Sequence, residues 1–225
     1  MDGILIVDKP AGMTSHDVVD FIRRRFGIKK VGHAGTLDPM ATGLLVMLLG
    51  RFTKESSRLS SRDKEYSGRM TLGARSDTGD RDGKITQDAQ ALSFSRADIE
   101  KVFDEFTGEV PQIPPMYSAV KIKGKKMYEL ARRGIEVERT PKKVVITSLK
   151  LKAFNLPFVD FEVACSKGTY VRQLASDIGE RLGCGAYLES LRRTASGGST
   201  IQDAIPFERL KCISREELAK TLIEL

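Results

Sequence analysis

Six consecutive apolar residues, Leu44 to Leu49, form the most hydrophobic stretch of the chain. Residues 44–58 predict a core segment, read as a helix from about Gly43. Gly3 to Val7 is a shorter apolar run and predicts a buried strand. Val18, Phe21, Ile22 and Phe26 recur at helical spacing. Thr14 or Ser15 supplies a cap for that helix, Asp17 lies in its first turn and Gly27 stops it. Arg23, Arg24 and Arg25 fall near its C-terminus, where the macrodipole favours cations. Ile99, Val102, Phe103 and Phe106 predict a second helix from Arg96 to about Thr107, capped by Ser95. Further helices are expected from Tyr170 to Leu182, ended by Gly183, and in a short amphipathic tail from Ser214. Alternation predicts strands at Tyr66–Leu72, Val144–Phe154, Val159–Cys165 and Leu188–Ala195. Asp8 to Gly12 reads as a turn, Ser76 to Lys84 as a polar loop, and Val110 to Pro115 as irregular. Lys121 to Arg133 reads as a basic strand-turn-helix around Gly124. No repeat, low-complexity tract or linker interrupts the chain. The pattern parses as one α/β domain with a basic insertion at about 110–142.

Charge sharpens this picture. The 225 residues carry a net +7, yet residues 121–152 alone carry +8. A basic block on an otherwise balanced chain is an electrostatic footprint for a polyanion. A solvated helix face and loop is the plainer account. Cys165, Cys184 and Cys212 form neither a paired framework nor a C-x-x-C, which fits reduced thiols in a cytoplasmic protein. No signal-peptide pattern opens the chain, and no apolar run approaches the ~20 residues of a membrane span. Two histidines, His16 and His33, argue against a histidine-rich metal site.

The segment just before the apolar run carries the clearest chemistry. Gly32-His33-Ala34-Gly35-Thr36-Leu37-Asp38-Pro39-Met40-Ala41-Thr42-Gly43 frames one carboxylate with glycines at the edge of a core. Pro39 fixes φ directly after Asp38 and biases Asp38 away from helix. Asp38 is therefore the leading candidate for a nucleophile or general base, although a tight turn also accounts for an aspartate. Such a carboxylate needs a positioned cation to stay ionised in a partly closed site. Arg172 is a candidate, following a Lys167-Gly168 turn of anion-binding type; a surface arginine on the same helix is the plainer account. Tyr66 and Tyr170 can stack on a base or transfer a proton, but strand tyrosines are commonly core residues. Asp77, Asp80 and Asp82 invite a metal site, yet they lack the spacing of a calcium loop and read better as a solvated turn.

These residues resemble a known family. The chain is similar to the bacterial TruB-type tRNA pseudouridine synthases in eight ordered segments spanning about residues 3–210. They are Asp8-Lys9-Pro10-x-Gly12-Met13-Thr14-Ser15, the Gly32–Gly43 segment, Lys64-x-Tyr66, and Asp77-Thr78-x-Asp80-x-Asp82-Gly83. They continue with Gln112-x-Pro114-x-Met116-Tyr117-Ser118-Ala119, Gly124-Lys125-Lys126-x-Tyr128, Cys165-Ser166-Lys167-Gly168-Thr169-Tyr170-x-Arg172, and Leu191-Arg192-Arg193. The resemblance implies an α+β pseudouridine-synthase fold, with a mixed, largely antiparallel central sheet flanked by helices and loops. It implies one catalytic domain over residues 1–225. Family members commonly add a C-terminal PUA domain, for which a chain ending at Leu225 leaves no room.

The resemblance also implies roles. Asp38 aligns with the catalytic aspartate that attacks the target nucleotide. Tyr66 aligns with the tyrosine that stacks on the base, and Arg172 with the arginine that pairs with the aspartate. Tyr170 and Leu191 align with residues lining the uridine pocket, and His33 with the histidine that helps extrude the nucleotide. Lys9 and Asp80 match further pocket-side positions. The basic insertion, with Lys121, Lys123, Lys125, Lys126, Arg132 and Arg133, matches the segment that grips RNA. The implied activity converts a uridine in the tRNA T-loop, position 55, to pseudouridine. It needs no cofactor and no metal, and the expected partner is the tRNA T-arm, met by a cytoplasmic monomer. Two other readings compete. A non-catalytic RNA-binding protein or RNA chaperone would use the basic block without Asp38, Tyr66 and Arg172. A nucleoside hydrolase would need a second acid beside Asp38, for which Asp80 is the one candidate.

Overall fold

A computed structural model describes residues 1–88, 92–117, 121–122, 125–127, 135 and 137–223. The strands along the chain are β1 (Gly3–Lys9), β2 (Val31–Ala34), β3 (Thr42–Leu49), β4 (Lys64–Leu72), β5 (Ala74–Ser76), β6 (Ile85–Gln87), β7 (Gly108–Gln112), β8 (Lys121–Ile122), β9 (Lys125–Lys126), β10 (Lys142–Asn155), β11 (Phe158–Cys165), β12 (Ala186–Ser196), β13 (Ser199–Thr200) and β14 (Ile205–Pro206). The α-helices are α1 (Ser15–Phe26), α2 (Ser56–Ser60), α3 (Arg96–Glu105), α4 (Val171–Leu182), α5 (Phe207–Cys212) and α6 (Arg215–Lys220). Strand pairing is mixed and largely antiparallel. Only β1 with β14 and β3 with β12 run parallel among the registers described. The chain divides into two compact units, residues 1–67 with 191–225, and residues 68–190.

In the first unit β3 is the centre. It pairs with β1 from Gly43 to Leu49, with β2 from Val46 to Leu49, and with β12 at Thr42 and Gly43. Leu44 through Leu49 are all buried, so this strand shows no polar alternation. The helix expected from Gly43 is corrected to a strand: leucine and methionine favour helix locally, but neighbours on both edges decide the matter. A 3₁₀ turn (Gly50–Glu55) and α2 follow. The short β2 lies inside the stretch read as a glycine turn. Helix α1 begins as expected. Thr14 and Asp17 form a reciprocal capping box, and Gly27 closes the helix at φ +64°. Val18, Val19, Ile22 and Phe26 are its buried face.

In the second unit β10 pairs antiparallel with β11 and β7. Helix α3, capped by Ser95 and Asp98, packs on β10 and α4. Phe103 meets the edge of the Phe161 ring at 6.5 Å between centroids. The irregular segment expected at Val110–Pro115 is corrected in part, because Val110 to Gln112 belong to β7, with Pro111 opposite Lys143. Strand β7 ends the strand order, and an edge tolerates a residue that cannot donate. Strands β8 and β9 form a two-residue pair in the basic insertion, Lys121 with Lys126 and Ile122 with Lys125. The helix expected there lies outside the described residues.

Candidate active site

Asp38 sits half-buried in the link from β2 to β3. Its carbonyl accepts from the Ala41 N–H at 3.1 Å, closing a turn with Pro39 in the second position. The residue before it is pinned. Leu37 is buried, its N–H donates to Ser15 Oγ at 2.8 Å, and the Ser15 hydroxyl contacts its carbonyl at 3.2 Å. Ser15 opens α1, so the Asp38 turn is fastened to the first turn of a capped helix. The residue after it is pinned as well, since the Pro39 carbonyl accepts from the Gly12 N–H at 2.8 Å.

Two buried cations surround this turn. Lys9, at 0% exposure, ends β1 and donates from Nζ to the carbonyls of Pro10 at 2.8 Å, Met13 at 2.7 Å and Pro39 at 3.3 Å. Burial lowers its pKa to about 8, and the charge of Asp38 opposes that fall. Lys9 is therefore protonated at neutral pH, and its charge favours an ionised Asp38. Arg193, at 1% exposure, lies in β12. Its Nε donates to the Leu44 carbonyl at 2.6 Å, Nη2 to Gly35 at 3.0 Å and Nη1 to Thr36 at 3.4 Å. Arg192 turns the other way and pairs with both oxygens of Asp8, at 3.0 and 2.6 Å.

The other candidates in this unit lie on neighbouring strands. His33 is on β2 opposite Met47, half-buried, and its Nδ1 has no hydrogen-bond partner among the described residues. Burial, then the charges of Arg193 and His16, lower its pKa, so the imidazole is neutral at pH 7. Tyr66 is buried on β4. Leu191 is buried on β12, and its carbonyl receives the Thr42 hydroxyl at 3.5 Å. Lys64, also buried, donates to the carbonyls of Ser60, at 2.6 Å, and Arg62.

The second unit holds Arg172, Asp80 and Tyr170. Arg172 lies in the first turn of α4. Its Nη1 donates to the Thr78 carbonyl at 2.9 Å and lies 3.4 Å from Asp80 Oδ2, while Nη2 donates to the Tyr117 carbonyl at 3.0 Å. Both charged side chains are almost fully buried, at 6% and 7% exposure. The other Asp80 oxygen accepts from the Thr78 hydroxyl at 2.7 Å and the Asp82 N–H at 3.1 Å. Asp80 is thus a structural anchor for the 76–84 loop. Asp77 likewise caps that loop by accepting from the Lys84 N–H at 2.8 Å. Tyr170 is the residue before α4. The Gln112 side chain holds its backbone from both sides, accepting from its N–H at 2.8 Å and donating to its carbonyl at 3.1 Å.

Lys9, His33, Asp38, Tyr66 and Leu191 therefore belong to the first unit, and Asp80, Tyr170 and Arg172 to the second. Lys121, Lys125 and Lys126 lie in the β8–β9 pair; Lys123, Arg132 and Arg133 lie outside the described residues. Sequence reasoning gave Ser15 only the role of a candidate helix cap, and gave none to Gln112 or Arg193. All three sit inside the quoted motifs, and their position there was the available signal. The described residues contain no cluster of three or more metal-ligating side chains, and no helix among them is long and apolar enough to cross a membrane.

Comparison with known proteins bears on the chemistry. A family model described as TruB family pseudouridylate synthase (N terminal domain) matches residues 23–171, and one for the tRNA pseudouridylate synthase B C-terminal domain matches residues 172–224. The chain is 47% identical to a tRNA pseudouridine synthase B of Opitutus terrae, over 99% of this chain and 92% of that protein. It is 48% identical to one from Geobacillus kaustophilus, over 99% and 81%. Among solved structures, a chain from a Cbf5-Nop10-Gar1 complex superposes with a TM-score of 0.76 at 29% identity; the match covers 98% of this chain and 59% of that one. A chain from an H/ACA RNP bound to a substrate RNA containing 2'-deoxyuridine follows at 0.71 and 26%, covering 99% and 58%. A Gly-framed aspartate turn at the edge of a mixed sheet, matched over nearly its whole length at such identity, places this chain in the TruB family of pseudouridylate synthases.

Proposed function

We propose that this protein converts a uridine of the tRNA T-loop to pseudouridine, with Asp38 as the nucleophile. The observation that carries this reading is the immobilised Asp38 turn, with the protonated Lys9 beside it, in a chain of this family. The reaction breaks the N1–C1′ bond, forms C5–C1′, releases the C5 proton and returns a proton to N1. No electrons change hands. A carboxylate held ionised on rigid backbone can add to C1′ of the ribose or to C6 of the base. The uridine must first leave its stack, at a cost of a few kcal/mol. Tyr66, stacked on the extruded base, returns roughly 1–3 kcal/mol. Arg172 serves as counter-cation to Asp38, Tyr170 and Leu191 line the uridine pocket, and the neutral imidazole of His33 assists extrusion. The basic insertion grips the T-arm through phosphates and shape. No observation favours the non-catalytic reading. The hydrolase reading loses its second acid, because Asp80 is committed to Arg172, Thr78 and Asp82.

The test is pseudouridine mapping on T-loop RNA by chemical labelling. Wild-type protein is expected to label one uridine, and Asp38→Asn to bind the RNA without forming product. Turnover by Asp38→Asn at the wild-type rate would overturn the assignment, and free uracil as product would point to hydrolysis.

A further inference from the structure

Arg193 is the largest fully buried side chain described. No carboxylate lies within ion-pair distance of it among the described residues. Its three hydrogen bonds all go to main-chain carbonyls, and those carbonyls are not scattered. Gly35 and Thr36 lie just before Asp38, and Leu44 lies just after the turn, inside β3. The guanidinium therefore spans the two stems of the Asp38 loop. Its own backbone is fixed by the parallel register that sets Arg193 beside Gly43. The fork geometry matters: the donors fan out in one plane and reach the Gly35 and Thr36 carbonyls before the turn and the Leu44 carbonyl on β3 after it. A buried cation without an anionic partner is costly to keep, so a plain packing role is poorly served by arginine here.

We propose that Arg193 is a positioning residue for the reaction: by tying both stems of the Asp38 turn to β12, it fixes the carboxylate against the target nucleotide. This rests on the reading of Asp38 as nucleophile. Burial and the charge of Arg193 also lower the pKa values of its neighbours Lys9 and His33, so the same guanidinium sets the field around the turn.

The experiment compares wild type, Asp38→Asn, Arg193→Met and Arg193→Lys in single-turnover pseudouridine formation on full tRNA, at a temperature where each is folded by circular dichroism. Binding of the tRNA is measured alongside, and hydrogen exchange of residues 34–44 is followed by mass spectrometry. A loosened turn misplaces the nucleophile, and a displacement of about 1 Å can cost on the order of 100-fold. Arg193→Met is expected to lose about 10–100-fold in rate, with tRNA affinity within about threefold and faster exchange confined to residues 34–44. Arg193→Lys keeps the charge but not the fork and is expected to fall between the two. A folded Arg193→Met variant with wild-type rate and exchange overturns the proposal. If that variant does not fold, a wild-type rate and exchange in Arg193→Lys overturn it equally, since lysine lacks the planar fork that fits these three carbonyls. Absence of product with wild type, or full activity of Asp38→Asn, would instead overturn the functional reading, while the exchange data still decide whether Arg193 holds the turn.

Discussion

Gly43→Ala is the sharpest perturbation of the frame around Asp38. Gly43 lies at φ +98°, between Lys9 of β1 and Arg193 of β12. A methyl group added there would stand 2.3 Å from the Arg193 carbonyl oxygen, 2.8 Å from its nitrogen and 3.1 Å from Arg192 Cγ. Two of these are main-chain atoms in a paired strand, so they cannot swing aside as a side-chain tip can. Two costs add. A non-glycine residue forced into this backbone region costs about 1–3 kcal/mol. Overpacking against fixed atoms costs a further 1–3 kcal/mol or so. The sum is about 2–6 kcal/mol, a large part of the ~5–15 kcal/mol that holds a typical domain folded. At roughly 2–4 °C per kcal/mol for a chain of this size, a mid-range loss lowers the melting midpoint by about 8–16 °C. Urea unfolding and a thermal melt measure it. Gly12→Ala is the control, because Gly12 also has positive φ, +82°, but nothing within 4 Å of the added carbon. It isolates the strain term. If Gly43→Ala proves no more destabilising than Gly12→Ala, the main chain of Arg193 is not the obstacle, and the close approach of β12 to the segment after the Asp38 turn is misjudged.

Lys9→Met tests the buried ammonium through pH. Its folded pKa of about 8 lies below the ordinary lysine value of 10.5, so between these values the unfolded chain holds the proton more firmly. The penalty for burying the charge is fully present below pH 8 and is relieved as pH rises, so wild type should gain on Lys9→Met by up to about 2 kcal/mol from pH 7 to 9.5. Urea midpoints at the two pH values check this, and a difference that shrinks with pH contradicts it. Asp80→Asn removes the carboxylate that lies 3.4 Å from buried Arg172 and should cost about 3 kcal/mol or more; a loss below ~1 kcal/mol would show that the other partners of Arg172 suffice. Gln112→Leu removes both amide bonds to the Tyr170 backbone and is expected to destabilise by about 1–3 kcal/mol. Its denaturation midpoint settles the point, an unchanged value showing that α4 starts without the clamp.

The local grammar of the chain was readable because short-range chemistry decides it. Thr14 with Asp17, Ser95 with Asp98, and Ser214 with Glu217 each announce a helix start three residues apart, and each is a reciprocal cap in the structure. The long alternating strands β10 and β11 were legible for the same reason. Two misreadings share one cause. Leu44–Leu49 reads as a helix and Val110–Gln112 as irregular, yet both are strands, because partners remote in sequence supply their hydrogen bonds. Sequence carries no local mark of which strand has neighbours on both edges and which ends the order.

The site divides along the same line. Asp38 was legible because its neighbours Gly35, Pro39 and Gly43 must be special to hold a turn, and special residues are visible in sequence. The atoms that hold that turn still were not. Ser15, Lys9 and Arg193 lie 23, 29 and 155 positions away and act on backbone carbonyls and amides. A cation that binds peptide carbonyls leaves no complementary acid in the sequence to betray it. Net charge counts every lysine and arginine alike, yet Lys9, Lys64, Arg172 and Arg193 lie buried inside the fold. Net charge is a guide to partners only for side chains that solvent can reach. In this chain Lys9 and Arg193 bind main-chain carbonyls around Asp38 instead, and the RNA reading of the basic block stands or falls on residues 121–152 alone.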